Sequence, residues 1–159
     1  MRKKSTTCMS ISLFILFFCV LTVTYAEEIS SSNKFRLAFG SVRDGIMNIY
    51  TIYSDGSELT QLTRSDDKKI SYLLPRWSPD GNKILFIKSI YISVFKSNRE
   101  LWMVNSDGTG LTQISQFVDV SAIPSWSPDG KKILYLEREE KKREIKLYDL
   151  ETNSSESLC

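Results

Sequence analysis

The sequence predicts an all-β protein, a partial β-propeller of about two and a half four-stranded antiparallel blades. Three observations predict it. Residues 75–86 (PRWSPDGNKILF) return as 124–135 (PSWSPDGKKILY), with Trp126 following Trp77 by 49 residues. A second element returns in phase: 49–63 (IYTIYSDGSELTQLT) matches 101–115 (LWMVNSDGTGLTQIS), and 145–152 is a third, partial copy. No segment carries a sustained helical period. Short β-prone runs punctuated by Gly turns and repeated every 40–50 residues or so are the signature of propeller blades.

Each element has a physical reason. The first blade, about 35–63, begins at its second strand with Phe35-Arg36-Leu37-Ala38-Phe39, and Arg43-Asp44-Gly45 makes the next turn. A third strand then runs into Ser54-Asp55-Gly56. The middle blade, about 70–115, has all four strands. Its first strand ends in Trp77-Ser78, Pro79-Asp80-Gly81 turns the chain, and Ile84 to Ile87 is a continuous apolar run. Pro fixes φ at the first corner, Asp bonds back to its own backbone, and Gly accepts the positive φ that other residues resist. The third strand, around Trp102, leads to the hairpin turn at Asp107-Gly108.

The third blade, about 120–152, repeats Trp126-Ser127-Pro128-Asp129-Gly130 and the apolar run Ile133 to Leu136. Such continuous runs suit strands covered on both faces. Residues 137–146, dense in Glu, Lys and Arg, are expected to form a long charged hairpin loop. The fourth strand is expected to be missing, with 153–159 as a tail, which makes ten strands. Trp77 and Trp126 are expected to pack between blades, and Trp102 is aligned with Tyr50 and Tyr148.

The N-terminus is read separately. Arg2, Lys3 and Lys4 precede the apolar run from Ile11 to Val20, and Thr24-Tyr25-Ala26 offers small residues at the cleavage positions. Residues 1–26 are therefore expected to be a secretory signal peptide, followed by a short linker at 27–34. The apolar run is diluted by Thr22 and Thr24 and is short for a span, so no stable membrane anchor is expected after cleavage. Of the 21 Lys and Arg residues three fall in the signal, which leaves 18 against 19 acidic residues. A near-neutral domain lacks the electrostatic footprint for nucleic acid. Cys8 and Cys19 leave with the signal, so Cys159 is expected to stand alone.

The Trp-Ser-Pro-Asp-Gly segments and the in-phase Asp-Gly hairpins resemble the β-propeller repeat of the TolB-like family, shared with the propeller domains of dipeptidyl peptidases and tricorn-type proteases. The resemblance covers about residues 35–152. It implies an exported propeller that serves as a platform for protein partners in the cell envelope. A closed propeller has about four to eight blades. About two and a half blades with incomplete ends imply a family fragment, a truncated product, or a subunit in which copies complete the propeller as a homo-oligomer.

The residues argue against chemistry in this chain. There is no histidine, so Ser-His-Asp and Cys-His catalysis are excluded. No Gly-x-Ser-x-Gly elbow is present. Asp55, Asp80, Asp107 and Asp129 recur, but each turn supplies too few oxygens for calcium, and they are read as turn-closing residues. No metal and no cofactor are expected. The segment Lys88 to Lys96, which includes Tyr91, Val94 and Phe95, lengthens the middle blade's hairpin by three residues relative to the third blade. It is either a partner-contact surface or a longer pair of strands. The functional expectation is an exported, non-catalytic protein-binding module, periplasmic or extracellular. The alternatives are a detached propeller fragment of a serine peptidase and a nonfunctional remnant.

Overall fold

The computed structural model describes residues 34–158 other than Asp44, Val94, Phe95 and Lys141. The expected signal, nearly all of the expected linker, Val94, Phe95 and Cys159 lie outside the described residues. Three antiparallel sheets follow one another along the chain, and no helix occurs among the described residues. The first holds β1 (Arg36–Arg43), β2 (Ile46–Tyr53) and β3 (Thr60–Gln61). The second holds β4 (Ile70–Trp77), β5 (Lys83–Ser93), β6 (Lys96–Asn105) and β7 (Thr112–Ser115). The third holds β8 (Ser125–Trp126), β9 (Lys132–Glu139), β10 (Lys142–Asp149) and β11 (Ser154–Ser157). Strands pair in sequence order within every sheet, as in propeller blades.

Two expectations are corrected. The third blade is complete: Ser154–Ser157 is a strand, paired with Asp149, Tyr148, Leu147 and Lys146 of β10. Its side chains are polar and exposed, so the pairing comes from the backbone ladder and from Tyr135 Oη, 3.0 Å from Ser155 Oγ. The described residues thus hold eleven strands. The charged stretch 137–146 is not a long loop either. It is the tight end of the β9–β10 hairpin, with Glu139 opposite Lys142 and Arg143 opposite Arg138. Arg138, Glu139, Glu140, Lys142 and Arg143 at its tip are exposed, whereas Glu137, Glu144 and Lys146 are half-buried.

Two apolar layers hold the blades together. Between the first and second blades lie Ala38 and Ile49 on one side, and Trp77, Ile84, Phe86 and Val104 on the other. Ala38 is small where Trp77 is large, so the two faces fit. Between the second and third blades lie Leu85, Ile87, Leu101 and Met103 against Ile133, Tyr135, Tyr148 and Val118. All of Ile84 to Ile87 are at most 1% exposed, because blade two is covered on both faces. The equivalent run in blade three is not: Leu134 is 43% exposed. That part of the two-sided reading is overturned, since the face that carries Leu134 is partly open.

Trp77 and Trp126 differ for the same geometric reason. Trp77 is buried in the layer between two blades. Trp126 is half-buried against the second apolar layer and donates its indole N–H to the Arg76 carbonyl of blade two at 3.3 Å. Trp102 is opposite Phe86 in register as Tyr50 is opposite Phe39, so its equivalent in blade three is Lys146, opposite Tyr135; Tyr148 stands opposite Ile133, where Val104 stands opposite Ile84. The alignment of Trp102 with Tyr148 is therefore two positions off. Lys146 reaches Glu144 at 2.9 Å and Glu137 at 3.5 Å, and Glu137 accepts from Ser115 Oγ of blade two at 2.7 Å. A polar clamp replaces an aromatic contact there.

A bulge in β4 explains an unusual backbone. Register slips between Leu73 and Arg76, and Leu74 sits at φ 54°, a region costly for a bulky residue. In a regular strand Leu73 and Leu74 would point to opposite faces. The bulge lets both pack against the layer between blades two and three. Pro75 follows on this edge strand, where its missing N–H costs no ladder bond.

Burial makes the two repeat tryptophans unequal. Trp77→Ala should cost about 3–5 kcal/mol, and Trp126→Ala clearly less. Urea unfolding of the two variants checks this, and equal losses would contradict the placement of Trp77 in the deeper layer.

Candidate functional site

Successive antiparallel strands put alternate connections at opposite ends of the array. One end carries the Ser-Pro-Asp-Gly turns and the Asp-Gly hairpin turns. The other carries the β5–β6 and β9–β10 hairpins and the 116–124 connection between blades.

The first end is built of repeated turns. Ser78 Oγ donates to Asp80 Oδ1 at 2.5 Å and accepts from the Lys83 N–H at 2.9 Å. Asp80 Oδ1 also accepts from the Asn82 N–H at 3.1 Å, and the Gly81 N–H reaches the Ser78 carbonyl at 3.0 Å. Ser127 and Asp129 repeat this: 2.6 Å from Ser127 Oγ to Asp129, 2.9 Å from the Lys132 N–H to Ser127, and 3.0 Å from the Lys131 N–H to Asp129. Gly81 and Gly130 take φ 71° and 70°. Pro79 and Pro128 are the first corners. The hairpin turns follow the same logic. Asp55 accepts from the Ser57 hydroxyl at 2.6 Å and N–H at 2.9 Å, and Asp107 from the Thr109 hydroxyl at 2.7 Å and N–H at 2.9 Å. Gly56 and Gly108 are again left-handed. All fourteen repeat positions named from the sequence thus sit at the ends of strands or in these turns, with each carboxylate turned back onto its own loop.

The hydrogen bonds hold the four turn aspartates below the ordinary carboxylate range. In each the neighbouring hydroxyl is the largest cause, backbone N–H donors add to it, and burial opposes them. Such groups fold best when ionised.

The second end is less regular and more open. A cleft of about 550 Å³ lies between blades two and three, lined by Tyr91, Arg99, Phe117, Val118, Asp119, Arg138 and Glu140 among others. The inter-blade connection is pinned across it: the Val118 N–H donates to the Arg99 carbonyl at 2.9 Å, the Arg138 N–H to the Phe117 carbonyl at 2.7 Å, and the Asp119 N–H to the Leu136 carbonyl at 2.7 Å. Asp119 is buried, accepts from the Ser121 N–H at 2.9 Å, and pairs with Arg143 at 3.0 Å. These contacts keep its carboxyl below the ordinary range, the Ser121 hydrogen bonds first. Tyr91 is 49% exposed and Phe117 is 42%.

Residues 88–93 and Lys96 belong to a longer pair of strands and also wall the cleft. The register equates Leu101 with Ile145, so 20 positions from Gly81 to Leu101 stand against 15 from Gly130 to Ile145. The hairpin is longer by five residues, not three. Of the three residues singled out there, Tyr91 lines the cleft; Val94 and Phe95 lie outside the described residues. Sequence reasoning missed Arg99, Phe117 and Arg138. They come from a strand, a connection and the next blade, and no spacing rule joins them.

A second cavity, of about 130 Å³, lies between blades one and two beside Leu62, Tyr72, Phe86 and Trp102. Beside it β3 is only two residues long. Lys88 pairs with Glu100 at 3.2 Å, and the Trp102 indole donates to Glu100 at 2.8 Å. The size of the cavity suits a few water molecules rather than a ligand.

The comparisons agree with this architecture. A family model described as the dipeptidyl peptidase IV (DPP IV) N-terminal region matches residues 33–158. A TolB-type protein from Agrobacterium tumefaciens aligns at 24% identity with a TM-score of 0.57, over 78% of this chain and 45% of that one. TolB from Acinetobacter baumannii aligns at 22% identity and 0.59, over 78% and 30%. A puromycin-hydrolyzing peptidase from Mycobacterium tuberculosis aligns at 14% identity and 0.62, over 86% and 23%. These likenesses show a shared propeller fold, and this chain spans less than half the length of each of the three. None of the curated proteins matches it.

The turn chemistry fixes the expected pH response. A carboxylate with a lowered folded pKa adds stability above its unfolded pKa and loses it as pH falls through the folded value. The melting temperature should therefore stay level from neutral pH to about 5 and drop below about pH 4. Asp80→Asn with Asp129→Asn should lower it at neutral pH and flatten the acid limb, as thermal melts in a pH series would record.

Proposed function

This chain belongs to the dipeptidyl peptidase IV N-terminal-region family, and we propose that it is an exported, non-catalytic binding module that holds a protein partner across the cleft between its second and third blades. The observation that carries this reading is the cleft itself. It is wide and open, it places exposed Tyr91 and Phe117 beside Arg99 and Arg138, and all belong to the irregular end of the array. Aromatic residues and Arg are the types enriched in the buried centres of protein interfaces, whereas small-molecule pockets are enclosed and mostly apolar. The backbone bonds that pin 117–119 to Arg99, Leu136 and Arg138 make the surface rigid before a partner arrives, which lowers the entropy lost on binding.

The absence of histidine supports the non-catalytic part, since Ser-His-Asp and Cys-His arrangements need one. The leader-like N-terminal sequence and the TolB-type fold support export to the cell envelope, periplasmic or extracellular, with envelope proteins as the partners. A second reading has its own observation: the matching family is the N-terminal region of a peptidase. In that reading the propeller serves a hydrolase domain, and the cleft faces that domain.

A photo-crosslinking residue in place of Tyr91, in the cell that makes the protein, tests the reading. A discrete adduct is expected there, absent from Lys131, an exposed residue at the opposite end, and reduced by Arg99→Glu with Arg138→Glu. An adduct to a hydrolase domain would favour the second reading. Equal, diffuse labelling from both positions would sink the binding cleft.

A further inference from the structure

The cleft between blades two and three is unevenly charged. Among the described residues its charged lining is Lys96 and Arg99 from β6, Asp119 from the connection, and Arg138 and Glu140 from the β9–β10 hairpin. Asp119 is already answered by Arg143 at 3.0 Å. Glu140 is left alone against three cations. Lys96, Arg99 and Arg138 are exposed and enter no ion pair among the described residues. Arg138 acts on Asp119 only at longer range, as the last of the influences that lower its carboxyl.

The two arginines flank one strip of backbone. Phe117 and Asp119 bond to blade three, through the Arg138 N–H at 2.7 Å and the Leu136 carbonyl at 2.7 Å. Val118 between them turns the other way and donates to the Arg99 carbonyl of blade two at 2.9 Å. Arg99 and Arg138 therefore stand on opposite sides of the strip, about two strand spacings or roughly 10 Å apart. An extended chain covers that distance in about three residues. Buried Val118 forms the floor, and Tyr91 and Phe117 stand exposed beside it.

We infer that the cleft takes an acidic stretch of a protein partner, an extended segment with carboxylates about three residues apart and an apolar or aromatic side chain near them. This rests on the reading of the cleft as a protein-binding site and supplies the partner's chemistry. A guanidinium fork matches a carboxylate in two parallel hydrogen bonds, and a cleft with low-dielectric walls focuses the field of its excess cations. Phosphate sites draw on converging backbone N–H groups, and here those of Val118, Asp119 and Arg138 are bonded to carbonyls. A lipid surface is flat and would touch the rim without reaching Val118. Two blades of this chain and their own connection bound the cleft, so the inference is independent of what meets the outer face of blade three.

A phage library of random peptides, panned against the purified full-length chain, tests it. Recovered sequences should be rich in Asp and Glu at that spacing, with an aromatic or aliphatic residue nearby. Arg99→Glu with Arg138→Glu should lose them and select Lys- and Arg-rich sequences instead. Circular dichroism checks that this variant is folded, and Lys96→Glu with Arg138→Glu takes its place if it is not. A synthetic peptide of a recovered sequence should bind the wild type in fluorescence anisotropy, roughly tenfold more weakly once its carboxylates are made amides, and more weakly as salt rises. Peptides that need Tyr91 and Phe117 but bind equally well as amides would overturn the inference and leave the binding cleft standing. A selection indifferent both to Tyr91→Ala with Phe117→Ala and to the charge reversal would end both readings. Phosphatidylglycerol vesicles that bind the wild type and release the charge-reversed variant would assign the cations to a lipid surface, and overturn the inference as well.

Discussion

Everything in this fold depends on covering sheets whose two faces are both apolar. The run Ile84 to Ile87 alternates between faces, and both of its halves are hidden, one under blade one and the other under blade three. A single such sheet would leave its leucines and isoleucines in water at roughly 25 cal/mol per Å². Stacking is the remedy, and it makes each blade's stability a property of its neighbours. The turns, the bulge at Leu74 and the indole bond from Trp126 to Arg76 are arrangements that let two such faces meet closely.

The repeat made most of this legible. Pro-Asp-Gly and Asp-Gly turns announce themselves because their φ values admit few residues, and two copies 49 residues apart fix the phase of everything between. What escaped notice has physical causes. Ser154–Ser157 reads as a tail because a strand at the outer edge of a blade needs no apolar side chain; its place is set by backbone bonds to β10. The hairpin at 137–146 reads as a loop because its tip is exposed, where charge is cheap. The Ile133 to Leu136 run reads as covered on both sides because the sequence records what a blade is suited to meet, and not what it meets. Trp102 and Tyr148 look equivalent by residue type, whereas pairing register shows that they oppose different positions.

The candidate site was legible only at Tyr91. An enlarged, aromatic hairpin stands out against its repeat. Phe117, Arg99 and Arg138 do not, since the cleft forms where the connection between two blades crosses two hairpins of unequal length. The regular end of the array, by contrast, is written plainly in the sequence: each aspartate accepts a hydroxyl hydrogen bond within its own turn.

The cleft is nevertheless tied to the core. Val118 is buried in the layer between blades two and three and also lines the cleft. Asp119, beside it, is tied to Ser121 and to Arg143 of blade three, while Val118 is tied to Arg99 of blade two. The width of the cleft is therefore set by the angle between two blades. Whatever fixes that angle, whether packing within this chain or closure with further blades, also fixes how far Tyr91 stands from Arg138. A propeller can thus hold a binding surface on irregular loops without rigid loops of its own, because the loops inherit their geometry from the sheets beneath them.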